Sequence, residues 1–399
     1  MEYRLISLTG LFVFIGLSYL LSENRKKVSL KLIFWGIFLQ FIFALFILKT
    51  KIGFILFDYI RIIVNSIIEF SDKGASFVFG NLVNDTNIGA IVAFRVLPII
   101  IFVSSLSGIL YYLGIIQLIV EFIAKIMQRT MKSSGAESFG AALLIFMGIE
   151  SMTAIKIYIQ KMTRSELFTI MTAFMATIAS SVMVTYASFG ADPGHLLTAS
   201  IMSAPAAIII SKIMIPEIEV PVTTGKVKFI TEKTDKNIID AAANGASVGL
   251  QLALQIGAML IAFISLIWLL NSIFGLFNTS FEQLMGYLYA PFAFLLGIPW
   301  NESIIVGKLL GTKTVFNEFL AYLQLKELIK SGVLSQRTII ITTYALCGFA
   351  NFGSMAILIG GIGGIAPDKK GIVAELGIKS IISGTIACFM TATIAGLLC

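Results

Sequence analysis

The sequence predicts an all-α polytopic membrane protein with about eight transmembrane helices, two re-entrant hairpins and an inverted repeat with broken helices. Hydrophobic residues make up 57% of the 399 residues and charged residues only 13%, about half of the charged fraction of a soluble domain. Basic residues occur in short stretches between apolar runs, as they do in cytoplasmic loops. This composition excludes a soluble enzyme, a disordered protein and a nucleic-acid binder.

The first apolar run extends from Leu5 to Leu21, and the basic residues follow it. A cleaved signal peptide has its positive charge before the apolar run. We therefore expect a retained first span with an external N-terminus. Polar residues at helical spacing in residues 54–70, and a basic amphipathic pattern in residues 117–132, predict two interfacial helices. The other spans are expected near residues 32–48, 89–114, 167–189, 196–215, 250–274, 338–365 and 371–399.

Two stretches, residues 138–163 and 300–330, are too polar for simple spans. Each half of the first stretch has about ten to thirteen residues, which is too short to cross a hydrocarbon core of about 30 Å. A hairpin that enters the membrane and returns to the same side fits both stretches better. The first hairpin has Glu150 near its tip, and the second contains Glu318.

The two hairpins belong to an internal repeat. A hairpin, a helix broken near Ala179–Ser181 or near residues 348–354, a turn and a final span occur once at 138–215 and again at 300–399. The basic loops give the copies opposite orientations and place both termini outside. Inverted repeats with broken helices indicate a secondary transporter with a site near the middle of the membrane.

The repeat also predicts a division of the chain into four parts. Residues 1–135 would be scaffold spans with interfacial helices, and residues 136–215 the first transport repeat. Residues 216–299 would contain a cytoplasmic linker, an interfacial helix (237–249) and a scaffold span, and residues 300–399 the second transport repeat.

Ionisable groups inside a membrane are costly, so Glu150 and Glu318 are the first candidates for function. In the second break, Asn351 and Ser354 offer hydrogen bonds and Phe349 offers an aromatic face, which suits a neutral, hydroxylated, aromatic solute. The alternatives are structural, namely helix packing for Phe349 and ion pairs of the two acids with Lys156, Lys161, Lys308 or Lys313.

Residues 311–322 have the sequence GTKTVFNEFLAY, which resembles the signature G-x-K-x-x-x-N-E-F-x-A-Y of the concentrative nucleoside transporter family. The resemblance continues through residues 343–354, and Phe94–Pro98 and Ala204–Pro205 also match, so it covers nearly the whole chain. It implies a homotrimer in the cell (inner or plasma) membrane that imports nucleosides with sodium or protons. The implied motion resembles that of an elevator, and the implied partners are the nucleoside and the lipid bilayer, with no cofactor.

The resemblance also implies which residues bind the substrate. Glu318, Asn351 and Ser354 would hold the ribose, and Phe349 would line the base pocket. In its first hairpin the family has Gly-Gln, a small polar residue and Glu, whereas here Ile149 and Glu150 follow Gly148 directly, so the glutamine is missing. The expected substrate-binding residues are Glu318, Asn351, Ser354, Phe349, Glu150, Asn317 and Ile149.

The coupling ion, H+ or Na+, remains open at this point. Four residues before the hairpin glycine, sodium-coupled members of the family have an asparagine ligand, where this chain has Leu144, which offers no oxygen. The expected ion-site residues are Glu150, Ser181 and Gly148, with a sodium ion, if one binds, near Met147 and Ser181. Glu150 lies among apolar neighbours and could take up a proton outside and release it inside, which slightly favours protons.

The predicted function is a cation-coupled nucleoside importer that is not an enzyme. Transport of a modified nucleoside or a nucleobase, and a passive channel, are alternatives within transport. An intramembrane enzyme would need a general base, and the single histidine, His195, falls in a predicted external loop. The choice between purine and pyrimidine nucleosides stays open.

Overall fold

The computed structural model describes residues 2–83, 92–224 and 235–399, and its regular secondary structure in these ranges is helical throughout. The helices before the linker are α1 (Glu2–Leu20), α2 (Leu30–Lys49), α3 (Lys51–Phe79), α4 (Leu97–Tyr112), α5 (Ile115–Met131), α6 (Gly135–Leu143), α7 (Ser151–Ala154), α8 (Lys156–Ile159), α9 (Arg164–Ala176), α10 (Ser180–Ser188) and α11 (Pro193–Met214). The helices after it are α12 (Ile238–Gly275), α13 (Phe281–Leu295), α14 (Trp300–Val315), α15 (Glu318–Ser331), α16 (Gln336–Leu346), α17 (Phe352–Ile365) and α18 (Lys370–Leu398).

Seven helical stretches of the described residues are long and apolar enough to cross a membrane, and the pair α13–α14, bent by 118°, would make an eighth. Each of the seven corresponds to a predicted span, so the polytopic all-α class is confirmed. They are Glu2–Leu20, Leu30–Lys49, Val92–Tyr112, Arg164–Ser188, Pro193–Met214, Ile238–Gly275 and Pro367–Leu398.

Three elements differ from the sequence prediction. The interfacial helix predicted for residues 54–70 is the middle of the 29-residue helix α3. The interfacial helix and the span predicted for residues 237–249 and 250–274 form one 38-residue helix, α12. The third is helix α13, which the sequence did not predict. The predicted span 338–365 is interrupted between α16 and α17, where the sequence predicts the second helix break. Residues 89–91 of the third predicted span and 225–234 of the predicted linker lie outside the described residues.

Glycines on α12 form its contact with α4. They let α12 pack closely against α4: a Cβ atom at Gly245 would lie 2.6 Å from the Ser104 carbonyl oxygen, and one at Gly249 would lie 2.7 Å from the Ile101 Cα atom. Small residues four apart allow two membrane helices to approach in this way. The packing of the two helices thus stabilises a stretch that the sequence pattern divides in two.

Helices α9, α11 and α18 form the centre of the molecule. Their most apolar segments are 83% to 89% buried, whereas the corresponding segments of α1, α2, α4 and α12 are 11% to 28% buried. The first hairpin, α10, α16 and α17 contact this centre, and the second hairpin packs against α16. The outer helices leave apolar faces that lipid or other chains can cover.

The N-terminal ends of the first hairpin and of α9 are fixed by two capping boxes. The Ser134 and Thr163 side chains each accept a bond from the backbone of the third helical residue, and the carboxylates of Glu137 and Glu166 bond back. The buried Lys212 ammonium, near the end of α11, lies 2.8 Å from a Glu137 carboxylate oxygen. This ion pair anchors the first hairpin to the centre.

Candidate functional site

A cavity of about 90 Å³ lies where the tips of the two hairpins, the two helix breaks and α12 meet. The first hairpin consists of α6, the turn 144–150, α7 and α8, and the second of α14 and α15. Seven residues predicted to bind substrate or ion line this cavity, and they are Gly148, Ile149, Glu150, Asn317, Glu318, Phe349 and Ser354. Residues more than two hundred positions apart in the sequence therefore meet at one place.

The Glu318 carboxylate is buried, with 5% of the residue exposed, and it is held by two neutral donors. The Tyr186 hydroxyl donates to Oε1 at 2.7 Å, and the Asn351 amide nitrogen donates to Oε2 at 2.9 Å. Among the described residues, neither Glu318 nor Glu150 forms an ion pair, so the structural alternative for the two acids is not observed. Glu318 thus faces the cavity with unused acceptor capacity.

Two asparagines place these groups by capping the helices that begin at the site. The Asn317 side-chain oxygen accepts from the Leu320 backbone N–H at 2.8 Å and starts α15. The Asn351 side-chain oxygen accepts from the Ser354 backbone N–H at 2.8 Å and starts α17. Because the cap uses the Asn351 oxygen, its amide nitrogen is directed at Glu318. Asn351 itself is fully buried behind the carboxylate and does not line the cavity.

Tyr186 was missed by the sequence analysis. Its ring stacks on that of Tyr322, with centroids 4.2 Å apart and planes at 18°, and the Tyr322 hydroxyl donates to the Thr343 carbonyl at 2.7 Å. A buried tyrosine hydroxyl needs an acceptor, and that general rule was the only signal available. The acceptor, Glu318, is 132 residues away.

Gly348 allows the two broken helices to approach each other. A Cβ atom there would lie 2.7 Å from the Met175 carbonyl oxygen and 2.6 Å from the Cys388 sulfur. The end of α9 therefore passes directly against the break before α17. On the cavity side of this contact, the rings of Phe174 and Phe349 lie 5.6 Å apart and form an aromatic wall.

The tip of the first hairpin is tied to the other helix break by a serine. The Phe146 carbonyl accepts from the Ser180 hydroxyl at 2.7 Å and from the Ser180 backbone N–H at 3.2 Å. The same hydroxyl lies 3.2 Å from that of Ser107 on α4. Sequence analysis had selected Ser181 in this break, but Ser180 makes the contacts to the tip.

A second cavity, of about 610 Å³, adjoins the first and shares Gly148, Glu150 and Ala179 with it. Met147 and Ser181 line this larger cavity and not the smaller one. Glu150 therefore borders both spaces, whereas the predicted sodium position lies on the wall of the larger one. Leu144, which replaces the expected asparagine, is buried and ends α6.

Lys313 is a buried cation close to this site. Only 1% of the residue is exposed, and its ammonium donates to the Ala345 carbonyl at 2.8 Å, near the C-terminal end of α16. A helix C-terminus is a favourable place for a positive charge. Lys313 thus connects the second hairpin to the broken helix that precedes Phe349.

Replacing Lys313 with methionine should lower the thermal stability of the purified protein and weaken substrate binding. The Ala345 carbonyl would lose its buried donor, which costs about 1–3 kcal/mol. Thermal unfolding in detergent, followed by a binding measurement, tests this expectation. Lys308→Met is the control, because Lys308 lies on the same helix and makes no hydrogen bond among the described residues. Equal stability and binding in the two variants would show that the Lys313–Ala345 hydrogen bond does not stabilise the site.

Two hairpins whose tips meet two broken helices around a small cavity are an arrangement expected of membrane transporters. Family models support this class along the chain. The model described as "Na+ dependent nucleoside transporter N-terminus" matches residues 9–82, "Nucleoside recognition" matches 93–193, and "Na+ dependent nucleoside transporter C-terminus" matches 195–396. The chain belongs to the concentrative nucleoside transporter family.

Similar proteins occur in animals and bacteria. The chain is 44% identical to mouse "Solute carrier family 28 member 3", with 100% of this chain aligned, but it spans only 59% of that protein's length. It is 41% identical to an "Uncharacterized transporter" of Haemophilus influenzae, covering 98% of this chain and 97% of the relative. It is 37% identical to "Nucleoside permease NupC" of Helicobacter pylori, covering 98% and 97%. These relatives are named as transporters and permeases, in agreement with the prediction that the chain is not an enzyme.

Solved structures have the same fold. The structure of CNTnw in an inward-facing substrate-bound state superposes with a TM-score of 0.94 at 36% identity, covering 99% of this chain and 98% of the other. A CNTnw variant in an outward-facing state also gives 0.94 at 36% identity, covering 100% and 99%. The fold is therefore shared over the full described chain.

Proposed function

We propose that this chain is a cation-coupled importer of nucleosides that works by alternating access. One observation carries the proposal: the Glu318 carboxylate, fixed by Tyr186 and Asn351, faces a small cavity with an aromatic wall. The family membership and the names of the relatives support it.

The carboxylate geometry fits the ribose. A carboxylate has about four acceptor positions, and the bonds from Tyr186 and Asn351 use one on each oxygen of Glu318. One position on each oxygen is left, which suits the two adjacent hydroxyls of a ribose. Ser354 lines the same cavity and adds a hydroxyl of its own.

The base would lie against the aromatic wall. Phe174 and Phe349 line the cavity together with Ile149 and Val182, so a flat ring can be buried there. A free nucleobase would use this wall but not Glu318. The two groups together therefore favour a nucleoside over a nucleobase.

Uptake into proteoliposomes tests the proposal. We expect labelled uridine, cytidine, adenosine, inosine or guanosine to accumulate above the external concentration when a cation gradient is imposed. Transport of none of the five would contradict nucleoside transport. Equilibration without accumulation would indicate a passive channel instead.

For the coupling ion, we propose the proton over sodium. Leu144 offers no oxygen, and Glu150 lies at the boundary between the two cavities, where a proton could enter or leave with the substrate. The Ser181 hydroxyl and backbone carbonyls at the hairpin tip are the donors that sodium would use instead. Uptake driven by a pH gradient at constant sodium supports the proton, and a strict sodium requirement at constant pH contradicts it.

The assembly and the orientation are further parts of the proposal. We propose a homotrimer in the inner or plasma membrane with both termini outside, in which residues 136–215 and 300–399 move as transport repeats. The apolar segment of α12, only 11% buried, could be covered by neighbouring copies. Native mass spectrometry of the detergent-solubilised protein tests the trimer, and accessibility of tags at the two termini tests the orientation.

A further inference from the structure

One face of α12 forms a wall of the smaller cavity. Leu252, Gln255, Ile256 and Met259 line it, and their spacing of three and four residues places them on the same side of the helix. Gln255 is the one polar side chain in this group. It lies well within the apolar part of α12, where an amide is costly unless it has a partner.

The Gln255 amide has no partner within the described protein. Its side chain is exposed in the single chain, and it makes no hydrogen bond to another described residue. An amide that lines a cavity with its donor and acceptor both free can bind a polar ligand group there.

The rest of the cavity lacks a donor for a nucleobase. Asn317 and Ser354 belong to the two helix N-termini beside Glu318, at the proposed ribose end. In the first hairpin, Ile149 has no polar group, and Glu150 offers one donor only while it carries a proton. Each base presents donors and acceptors next to each other along its polar edge. Once Glu150 has released its proton, the first hairpin offers no side-chain donor to the acceptors of the base.

We infer that Gln255 recognises the base and supplies from α12 the amide that the first hairpin lacks. This inference rests on the proposed nucleoside transport. The amide nitrogen donates to an acceptor of the base, and the amide oxygen accepts from an adjacent N–H. Because rotation of the amide by half a turn exchanges the two groups, Gln255 can pair with adenine and cytosine in one orientation and with uracil and hypoxanthine in the other. The substrate class is therefore purine and pyrimidine nucleosides with adjacent donors and acceptors on the base.

The test compares adenosine with purine riboside, which lacks the 6-amino donor. Gln255→Met keeps the length of the side chain and removes the amide. In the full-length protein in detergent, we expect this variant to raise the Kd for adenosine about tenfold and the Kd for purine riboside less than about threefold. Gln251→Met is the matched control, because Gln251 lies one turn earlier on α12 and lines neither cavity.

The outcomes separate the inference from the proposed function. If the unmodified protein binds adenosine and Gln255→Met binds it equally well, the inference is wrong and nucleoside transport stands. Equal weakening for adenosine and purine riboside also overturns the inference, because it indicates a general packing role. Failure of the unmodified protein to bind any nucleoside overturns the proposed function itself.

A second variant keeps the test decisive if Gln255→Met does not fold. Gln255→Glu retains an acceptor and removes the donor. Guanosine has two adjacent donors, its ring N–H and its amino group, which a carboxylate can accept. The ratio of the Kd for uridine to the Kd for guanosine should therefore be at least about fivefold higher in this variant than in the unmodified protein. An unchanged ratio would overturn the inference.

Discussion

Replacing Glu318 with glutamine is expected to abolish measurable nucleoside uptake and to raise the Kd for nucleosides at least a hundredfold. Hydrogen bonds to a charged group contribute about 1.5–3 kcal/mol each, and two bonds to the ribose would be lost or weakened. Tyr186 and Asn351 both donate to the carboxylate. The NH2 group of a glutamine would face one of these two donors, and that pair could no longer form a hydrogen bond. Uptake into proteoliposomes and calorimetric binding measure the two effects.

The control for this variant is Glu327→Gln on the same helix. Glu327 is exposed and forms a surface ion pair with Lys330, so its neutralisation should leave transport unchanged. Uptake by Glu318→Gln at the level of this control would contradict the assignment of Glu318 to the ribose. Loss of nucleoside uptake with full retention of free nucleobase uptake would show that the base pocket works without Glu318.

Replacing Glu150 with glutamine is expected to abolish accumulation against a gradient while some substrate binding remains. Glutamine matches the shape of the side chain but cannot exchange a proton, and Glu150 is the carboxylate shared by the two cavities. Accumulation is measured in proteoliposomes under an imposed pH gradient, and binding is measured in detergent. Passive equilibration of substrate should persist at a reduced rate.

Glu121→Gln is the control for the second variant. Glu121 lies on α5, is partly exposed and pairs with Lys125, away from both cavities. Undiminished accumulation by Glu150→Gln would show that the proton does not pass through this group. The same conclusion would follow if a sodium gradient alone restored accumulation fully in the variant.

The sequence predicted the parts of this fold that depend on local pattern. Apolar runs located the seven long spans, and the polar interruptions located both hairpins and both breaks. The errors arose where packing determines the outcome. The amphipathic pattern of residues 237–249 predicted a separate interfacial helix, yet this segment is continuous with the following span and its glycines contact α4.

In the candidate site too, local sequence pattern revealed some residues, whereas others depend on packing between distant segments. Glu318, Asn351 and Phe349 could be found from one motif and one helix break. Tyr186 and Gln255 could not, because their relation to the cavity depends on contacts between distant segments. The bond of Ser180 to the hairpin tip was also beyond sequence reasoning. Successive residues of a helix point about 100° apart, and the sequence did not indicate which of Ser180 and Ser181 faces the hairpin tip.

The length of α12 has a consequence for the lipid that surrounds the protein. Its 38 residues extend about 57 Å at 1.5 Å per residue, nearly twice the thickness of a typical hydrocarbon core of about 30 Å. Such a helix must tilt or project from the bilayer, and its first turns, with Asp240 and Asn244, are polar enough to lie among headgroups. A thicker or thinner bilayer would change this tilt, and with it the position of the α12 face that borders the cavity. Acyl-chain length is therefore a variable of transport that membranes of different composition would set differently.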